Sequence, residues 1–261
     1  MSDPENLLLK VRSSRRNLIK VGSLAAAIVA SRMNPARASS GGDPGACFLL
    51  GTRILTAAGN RRMEELAVGD LLPTLFGGTR PIRWIGRYPY RKSAPSKPWV
   101  RDVLPVRIAR SALAPDVPHT DLFVTKGHAL FVDGVLVTAD SLINGTTITL
   151  YEACELDELE YFHIKLERHD VVYAEGAPCE TLQNVDENAV NFADYLREYG
   201  APETEEARCA PLLSFNGGRS EIRSRLRSAI SPWIDRRQKL DIIRDRLEER
   251  GIALLRQSEL A

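Results

Sequence analysis

Hydrophobic and polar positions alternate in short segments over residues 47–182. These segments are rich in Val, Ile, Leu and Thr and are separated by Gly and Pro, which is typical of β-strands joined by turns. In the clearest case the apolar segments Ala129–Val132 and Val135–Val137 flank Asp133-Gly134, a pair that readily supplies the positive φ angles of a type I′ turn. The pattern predicts a mostly β domain.

The periodicity changes after Leu182, and residues 183–261 are predicted to form a helical C-terminal region. Helices are predicted over Glu187–Tyr199, Arg219–Ile230 and Ser231–Gly251. Apolar residues recur every seven positions at Leu226, Trp233, Leu240 and Leu247. This seam predicts either helices packed on their own domain or a dimer contact through the C-terminal helices.

The first 38 residues are typical of a targeting segment rather than of a folded domain. Residues 14–20, Ser-Arg-Arg-Asn-Leu-Ile-Lys, resemble the twin-arginine export motif, and the mild apolar run Val21–Ala30 fits the hydrophobic region of a signal. Ala36-Arg37-Ala38 offers a cleavage site before residues 39–46, a flexible spacer. The predicted location is therefore periplasmic or secreted; the alternative is a basic amphipathic helix.

Composition narrows the function classes. The 35 Lys and Arg nearly balance the 34 Asp and Glu, so charge gives no sign of a nucleic-acid partner. No run approaches the roughly 20 apolar residues that a membrane span needs, so no stable membrane span is expected. Four cysteines are too few for a disulfide scaffold.

The most specific pattern begins at Cys47. Residues 47–59 follow Cys-Phe-x-x-Gly-Thr-x-Ile-x-Thr-x-x-Gly, and residues 64–70 follow Glu-x-Leu-x-x-Gly-Asp. The pattern resembles the opening block of the Hint family, the domain shared by inteins and the autoprocessing part of hedgehog proteins. The resemblance implies a horseshoe-like β fold in which the Cys47 thiol attacks the carbonyl of Ala46 and forms a thioester. The alternative is a small buried side chain, the usual role of a lone cysteine.

A second motif, Thr125-Lys126-Gly127-His128, resembles the Thr-x-x-His signature of the same family. The spacing alone is common, and its value lies in its place after the Cys47 block. The resemblance implies that Thr125 holds the scissile amide. It also implies that His128 protonates the leaving nitrogen, which histidine can do near neutral pH.

A closing block over residues 161–176 resembles the end of the Hint domain. His163 stands where inteins have Asp, and His169 falls on the family's His; either could take the Cys47 proton. On one uninterrupted strand the two would share a face. Cys179, near the second cysteine of hedgehog-type domains, is either a resolving thiol or a buried residue. His119, in a loop, is expected to take no part.

The block ends without the His-Asn pair of inteins, so full splicing is not expected. The leading prediction is self-processing, an N-to-S acyl shift and autocleavage at Ala46–Cys47. The chain's own N-terminal flank is then the substrate, and water or a thiol is the acyl acceptor. No cofactor is implied.

Two other functions stay open. A catalytically silent, exported interaction module is favoured by the short segment that precedes Cys47. A zinc site could use Cys47, His128 and His163, although four ligands at standard spacing are not evident. Residues 174–180 and 206–212 resemble bacterial stand-alone Hint-type proteins.

Overall fold

A computed structural model describes residues 45–185, 187–201, 207–214 and 239–259. The predicted targeting segment, most of the spacer and the predicted helix Arg219–Ile230 lie outside these residues. So do Leu226 and Trp233 of the predicted seam.

The described residues are mostly β, as the alternation predicts. The strands are β1 (Phe48–Leu49), β2 (Arg53–Thr56), β3 (Gly59–Arg62), β4 (Leu71–Thr74), β5 (Gly78–Pro81), β6 (Trp84–Arg91), β7 (Val106–Ile108), β8 (Leu122–Val124), β9 (Ala129–Val132), β10 (Val135–Thr138), β11 (Ile148–Leu150), β12 (Glu158–Lys165), β13 (Val171–Ala174), β14 (Ala177–Glu180) and β15 (Leu212–Leu213). The helices are α1 (Phe192–Tyr199) and α2 (Lys239–Glu259), with short 3-10 helices at Met63–Glu65, Arg101–Val103 and Ala139–Leu142.

Two larger sheets and one hairpin organise these strands. The first sheet has the order β11-β7-β8-β1-β12-β6, and the second has the order β15-β10-β9-β14-β13-β2-β3. β4 and β5 pair with each other. β1 is only two residues long, but it lies between β8 and β12, and Phe48 pairs with a residue of each. The residues just before β1 are therefore placed by two neighbouring strands.

Among the described residues, the two larger of three buried apolar clusters form most of the interior. The main core combines both sheets and includes Phe48, Ile54 and Leu130, each fully buried. A second cluster is rich in aromatic side chains and contains Cys47 and Tyr161. Burial of these side chains is the dominant favourable contribution to the fold.

The predicted hairpin is confirmed. Val132 pairs with Val135 across the two-residue loop, and Asp133 and Gly134 have φ angles of 51° and 82°. Positive φ at both positions is the requirement of a type I′ turn, whose twist matches that of the flanking strands. The 3-10 helix Ala139–Leu142 follows the hairpin directly.

The three prolines between Tyr88 and Trp99 predict an exposed loop, and this prediction is wrong over its first part. β6 continues to Arg91 because it pairs with the full length of β12, and Tyr88 is buried against the aromatic cluster. Proline generally disfavours a strand, because it lacks the backbone N–H that pairs with a neighbouring strand. Pro89 is tolerated because β6 is the edge strand of its sheet.

The first predicted helix is shorter than its periodicity indicates. α1 begins at Phe192 rather than at Glu187. Asn191 lies just before it, accepts a hydrogen bond from the Arg87 N–H and donates one to the Ile85 carbonyl. These contacts with β6 hold the preceding residues outside the helix.

The predicted helix Ser231–Gly251 does not end at Gly251. α2 continues to Glu259, and Gly251 is instead a point of close approach to the domain. A Cβ atom at this position would lie 2.5 Å from Thr146 Oγ1 and 3.2 Å from Thr147 Oγ1. The glycine therefore permits close packing.

The described part of the predicted seam packs within the chain. Leu240, Ile243 and Leu247 of α2 are buried in the main core. Arg246 forms an ion pair with Asp133 at 2.6 Å, and Arg250 donates to the Ser111 carbonyl. This is the helical C-terminal appendage that the sequence predicts. None of the described helices is both long and apolar enough to cross a membrane.

Candidate functional site

Three of the predicted site residues lie in one row of the first sheet. β1 pairs with both β8 and β12 through Phe48. In antiparallel pairs, the residue before Phe48 faces the residues that follow its two partners. Cys47 therefore lies between Thr125 and His163, which come from segments far away in sequence.

Thr125 holds the backbone on both sides of the Ala46–Cys47 peptide bond. Its Oγ1 accepts a hydrogen bond from the Cys47 N–H at 2.8 Å and donates one to the Gly45 carbonyl. The Thr125 N–H donates to the Cys47 carbonyl at 2.9 Å. One threonine thus fixes the amide nitrogen of the bond and the residue that precedes it.

Thr125→Val is expected to lower the free energy of unfolding by about 1–3 kcal/mol. Valine has nearly the same shape but leaves the buried Cys47 N–H without its partner, which costs about this much. Thr125→Ser is the matched control, because serine keeps the hydroxyl. Chemical denaturation measures both variants; equal stability of the valine and serine variants would contradict this role.

His128 lies beside the same peptide bond. Its backbone N–H donates to the Thr125 carbonyl at 3.2 Å. Its ring packs against Phe48, with ring centroids 4.3 Å apart, and lies 5.6 Å from the ring of His163. Among the described residues, neither ring nitrogen has a partner in good hydrogen-bond geometry, although the side chain is fully buried and the Ala46 carbonyl lies near enough to act on the ring. Buried polar atoms without partners are uncommon and often mark functional sites.

Burial lowers the pKa of His128 from 6.5 to about 4. The charge of Glu180 and the backbone carbonyl of Ala46 oppose this shift, while His169 adds to it. The carbonyl that acts on the ring belongs to the residue that Cys47 would attack. At neutral pH the ring is uncharged, so one nitrogen carries a proton and the other can accept one.

His163 and His169 do not lie on one uninterrupted strand. β12 ends at Lys165, and the next strand, β13, belongs to the other sheet. The condition for a shared face is therefore not met. His163 is buried beside His128, and its pKa is lowered well below 6.5 by burial, with smaller contributions from His128, His169 and Lys165. It too is neutral at neutral pH.

His169 is joined to the site through Glu180. Its Nδ1 accepts a hydrogen bond from the Cys209 N–H at 3.1 Å, and its Nε2 lies 3.4 Å from Glu180 Oε2. Because Nδ1 is an acceptor, the ring proton of the neutral form is on Nε2, towards the carboxylate. Both nitrogens thus face groups other than Cys47.

The Cys47 side chain is fully buried in the aromatic cluster. Tyr161 is its neighbour, and the pKa of Tyr161 is raised by burial first and then by Cys47 and Tyr90. Tyr161 donates its hydroxyl proton to the Val103 carbonyl at 2.6 Å, so it stays fixed. An apolar wall of this kind keeps water from the thiol.

The four cysteines are all thiols in this structure. Cys179, predicted to be either a resolving thiol or a buried residue, lies on β14 in the main core, and burial raises its pKa. A thiol with a raised pKa is a weak nucleophile, which favours the buried interpretation. His119 is exposed and lies 3.0 Å from Asp116.

A cleft of about 240 Å³ opens beside the Ala46–Cys47 bond. Its walls include Ala46, His163, Glu180, Asn184 and Arg208. The carbonyl side of the peptide bond thus borders an accessible space, whereas the Cys47 thiol is enclosed. A small molecule could approach Ala46 from this cleft.

Two of these residues are not predicted by the sequence pattern. Glu180 is a buried carboxylate at the end of β14, and Arg208 Nη1 lies 3.8 Å from its Oε2. The sequence contains a signal for each residue. Glu180 is an acidic residue at the end of an otherwise uncharged strand, and Arg208 lies in residues 206–212, which resemble stand-alone Hint-type proteins. Neither signal assigned a role.

The zinc hypothesis has no support from the arrangement of side chains. In the described parts of the chain, no group of three or more His, Cys, Asp and Glu residues could hold a metal ion.

A family model matches this chain, and several solved structures are similar to it at low identity. The Hint domain family matches residues 46–186, more than half of the chain. Among solved structures, the gp41-1 intein is 14% identical with a TM-score of 0.37, and the match covers 52% of this chain and 98% of that one. A DnaB intein from Synechocystis sp. PCC 6803 is 9% identical with a TM-score of 0.36, covering 53% and 99%. A bacterial intein-like domain from Clostridium thermocellum is 15% identical with a TM-score of 0.36, covering 52% and 98%. No curated protein matches the sequence.

The fold and the family match define a Hint-type domain, a class of self-processing folds. The chain belongs to the Hint domain family.

Proposed function

We propose that this protein cleaves its own backbone at the Ala46–Cys47 bond by an N-to-S acyl shift, without splicing. The observation that supports the proposal is the pair of hydrogen bonds by which Thr125 holds Gly45 and Cys47, with the buried ring of His128 beside the same peptide bond. Such a clamp orients a reacting amide relative to its nucleophile and its proton donor.

The first step exchanges one bond for another. The Cys47 sulfur attacks the Ala46 carbonyl carbon, and the bond from that carbon to the Cys47 nitrogen breaks. The thiol proton goes to the leaving nitrogen, which becomes an amine, and a thioester remains. Neutral His128 can accept the proton on one nitrogen and deliver one from the ring to the amine, so no outside acid is needed.

The second step transfers the acyl group to water or to an external thiol. Water yields a carboxylate at Ala46 and restores the Cys47 thiol, and an external thiol yields a new thioester by exchange. The cleft beside Ala46 is the proposed route for either acceptor, since the Cys47 side chain itself is buried.

Thiol-induced cleavage is the direct test. The full chain of 261 residues, isolated with its N-terminus intact, is incubated with a strong thiol, and its intact mass is followed. The expected products are a fragment that ends at Ala46 and a protein that begins with Cys47. If the mass stays unchanged over days while circular dichroism shows a folded β protein, the silent interaction module is the correct function.

Export through the membrane would limit how fast the chain can cleave itself. We propose that residues 14–20 direct the folded protein through the twin-arginine pathway, on the strength of the paired arginines and the apolar run after them. Rapid cleavage at Cys47 before export would then detach the signal, so cleavage must be slow or delayed. Arg15→Lys with Arg16→Lys should leave the protein in the cytoplasm; continued export of this double variant removes the proposal.

A further inference from the structure

Glu180 is a buried carboxylate that the proposed reaction has not used. It closes β14, and it is 5% exposed. Oε1 accepts a hydrogen bond from the Ala129 N–H at 2.8 Å, while Oε2 lies 3.4 Å from His169 Nε2 and 3.8 Å from Arg208 Nη1. A buried charge is costly unless it is paired and hydrogen-bonded, and these three contacts meet that condition.

We propose that Glu180 is a positioning residue of the processing site: its charge stabilises the positive charge that forms on His128 as the proton passes from Cys47 to the leaving nitrogen. Arg208 and His169 hold the carboxylate in this position. The assignment rests on the proposed function, and it adds to it a residue that acts through His128 rather than on the peptide bond.

The hydrogen bonds fix the carboxylate relative to His128. The Ala129 N–H belongs to the residue directly after His128, so Oε1 is held next to that segment of backbone. His169 presents its Nε2 proton to Oε2, because its Nδ1 already accepts from Cys209. A carboxylate that stabilises a transient imidazolium is an arrangement known from hydrolytic triads, although here the charge acts without direct contact.

The charges around the two groups are few. His169 disfavours a positive charge on His128, and His128 in turn disfavours one on His163. Arg208 faces Glu180, and burial raises the pKa values of the Cys179 and Cys209 thiols, with a smaller contribution from the Glu180 charge. Glu180 is the largest influence that favours protonated His128. Without it, burial and His169 would oppose proton transfer more strongly.

Arg208 reaches Glu180 from outside the residues that match the family. β15 pairs in parallel with β10 through Leu136 and Leu212, and the Leu136 N–H donates to the Pro211 carbonyl at 2.8 Å. These contacts fix the segment that carries Arg208 and the Cys209 N–H. The site therefore extends beyond residues 46–186.

Two variants should move the pKa of His128 in opposite directions. Glu180→Gln keeps an acceptor for the Ala129 N–H but removes the negative charge, so the pKa should fall by about one unit or more. Arg208→Gln leaves the carboxylate and removes a cation near it, so the pKa should rise. Arg208→Lys is the matched control, because the positive charge is kept and the pKa should stay near that of the natural protein.

Histidine NMR of the full chain without thiol measures these shifts and needs no cleavage. The His128 signal is assigned with His128→Gln, and thermal unfolding checks each fold. Opposite shifts support the assignment; no shift, or shifts of the same sign, overturns it. If Glu180→Gln fails to fold, the His128 pKa values of Arg208→Gln and Arg208→Lys still decide whether the assignment holds.

The rate of thiol-induced cleavage should fall about tenfold in Glu180→Gln for each unit by which the His128 pKa is lowered. A normal rate despite the shift would also overturn the assignment, while no cleavage in the natural protein would reject the proposed function alone.

Discussion

Cys47→Ala should release no fragment under conditions in which the natural protein is cleaved by thiol. The loss should be complete, because only the Cys47 sulfur can reach the Ala46 carbonyl carbon through a five-membered ring. That ring contains the sulfur, Cβ, Cα and nitrogen of Cys47 and the carbonyl carbon itself. The substitution removes one sulfur atom from the aromatic cluster, so the fold should survive. Intact mass after incubation with thiol measures the result.

Cys154→Ala is the matched control for the loss of a thiol. Cys154 is exposed, whereas Cys47 is fully buried. Cleavage should continue at the natural rate in this variant. A Cys47→Ala protein that still yields a fragment ending at Ala46 would show that hydrolysis at this position needs no acyl shift.

His128→Gln should slow thiol-induced cleavage by about 10²–10⁴, the usual contribution of a general acid or base. Glutamine preserves much of the packing against Phe48 but cannot pass a proton between the thiol and the leaving nitrogen. His119→Gln is the control, since that side chain is exposed and paired with Asp116. Equal rates for the two variants would exclude His128 from the reaction.

The pKa of His128 also sets a pH dependence of stability. Its folded pKa of about 4 lies below the ordinary value of 6.5. The unfolded chain therefore binds more protons between these values, and this contribution to stability is full above pH 6.5 and is lost as pH falls towards 4. Unfolding of the natural protein should thus be more sensitive to acid in this window than unfolding of His128→Gln. Denaturation curves at pH 7 and pH 4.5 compare the two.

The sequence predicted the first part of the site because its motifs are local. Cys47 and the residues after it form one gapless block, and Thr125 and His128 are three positions apart. The β-hairpin that follows them could also be placed from one Asp-Gly pair. Such features depend on short-range geometry, which a pattern of residues records directly.

Long-range contacts determine the features of the fold and of the candidate site that could not be predicted from the sequence. Glu180 lies at the candidate site only because β14 lies beside β9, and Arg208 is brought to it by β15, a strand of two residues. Gly251 resembled a helix end because its close neighbour, Thr146, is over a hundred residues away. The pattern contains these residues but not the pairings that give them a role.

The pairing of β15 with β10 also concerns the order of events during synthesis. Arg208 lies about 160 residues after Cys47 in the sequence, so the site closes a large loop before it is complete, and such contacts form slowly. A chain emerging from the ribosome presents Cys47, Thr125 and His128 well before Arg208. If the protein cleaves itself as proposed, the charge network near Cys47 is incomplete until β15 pairs with β10, and this would delay backbone cleavage relative to translation.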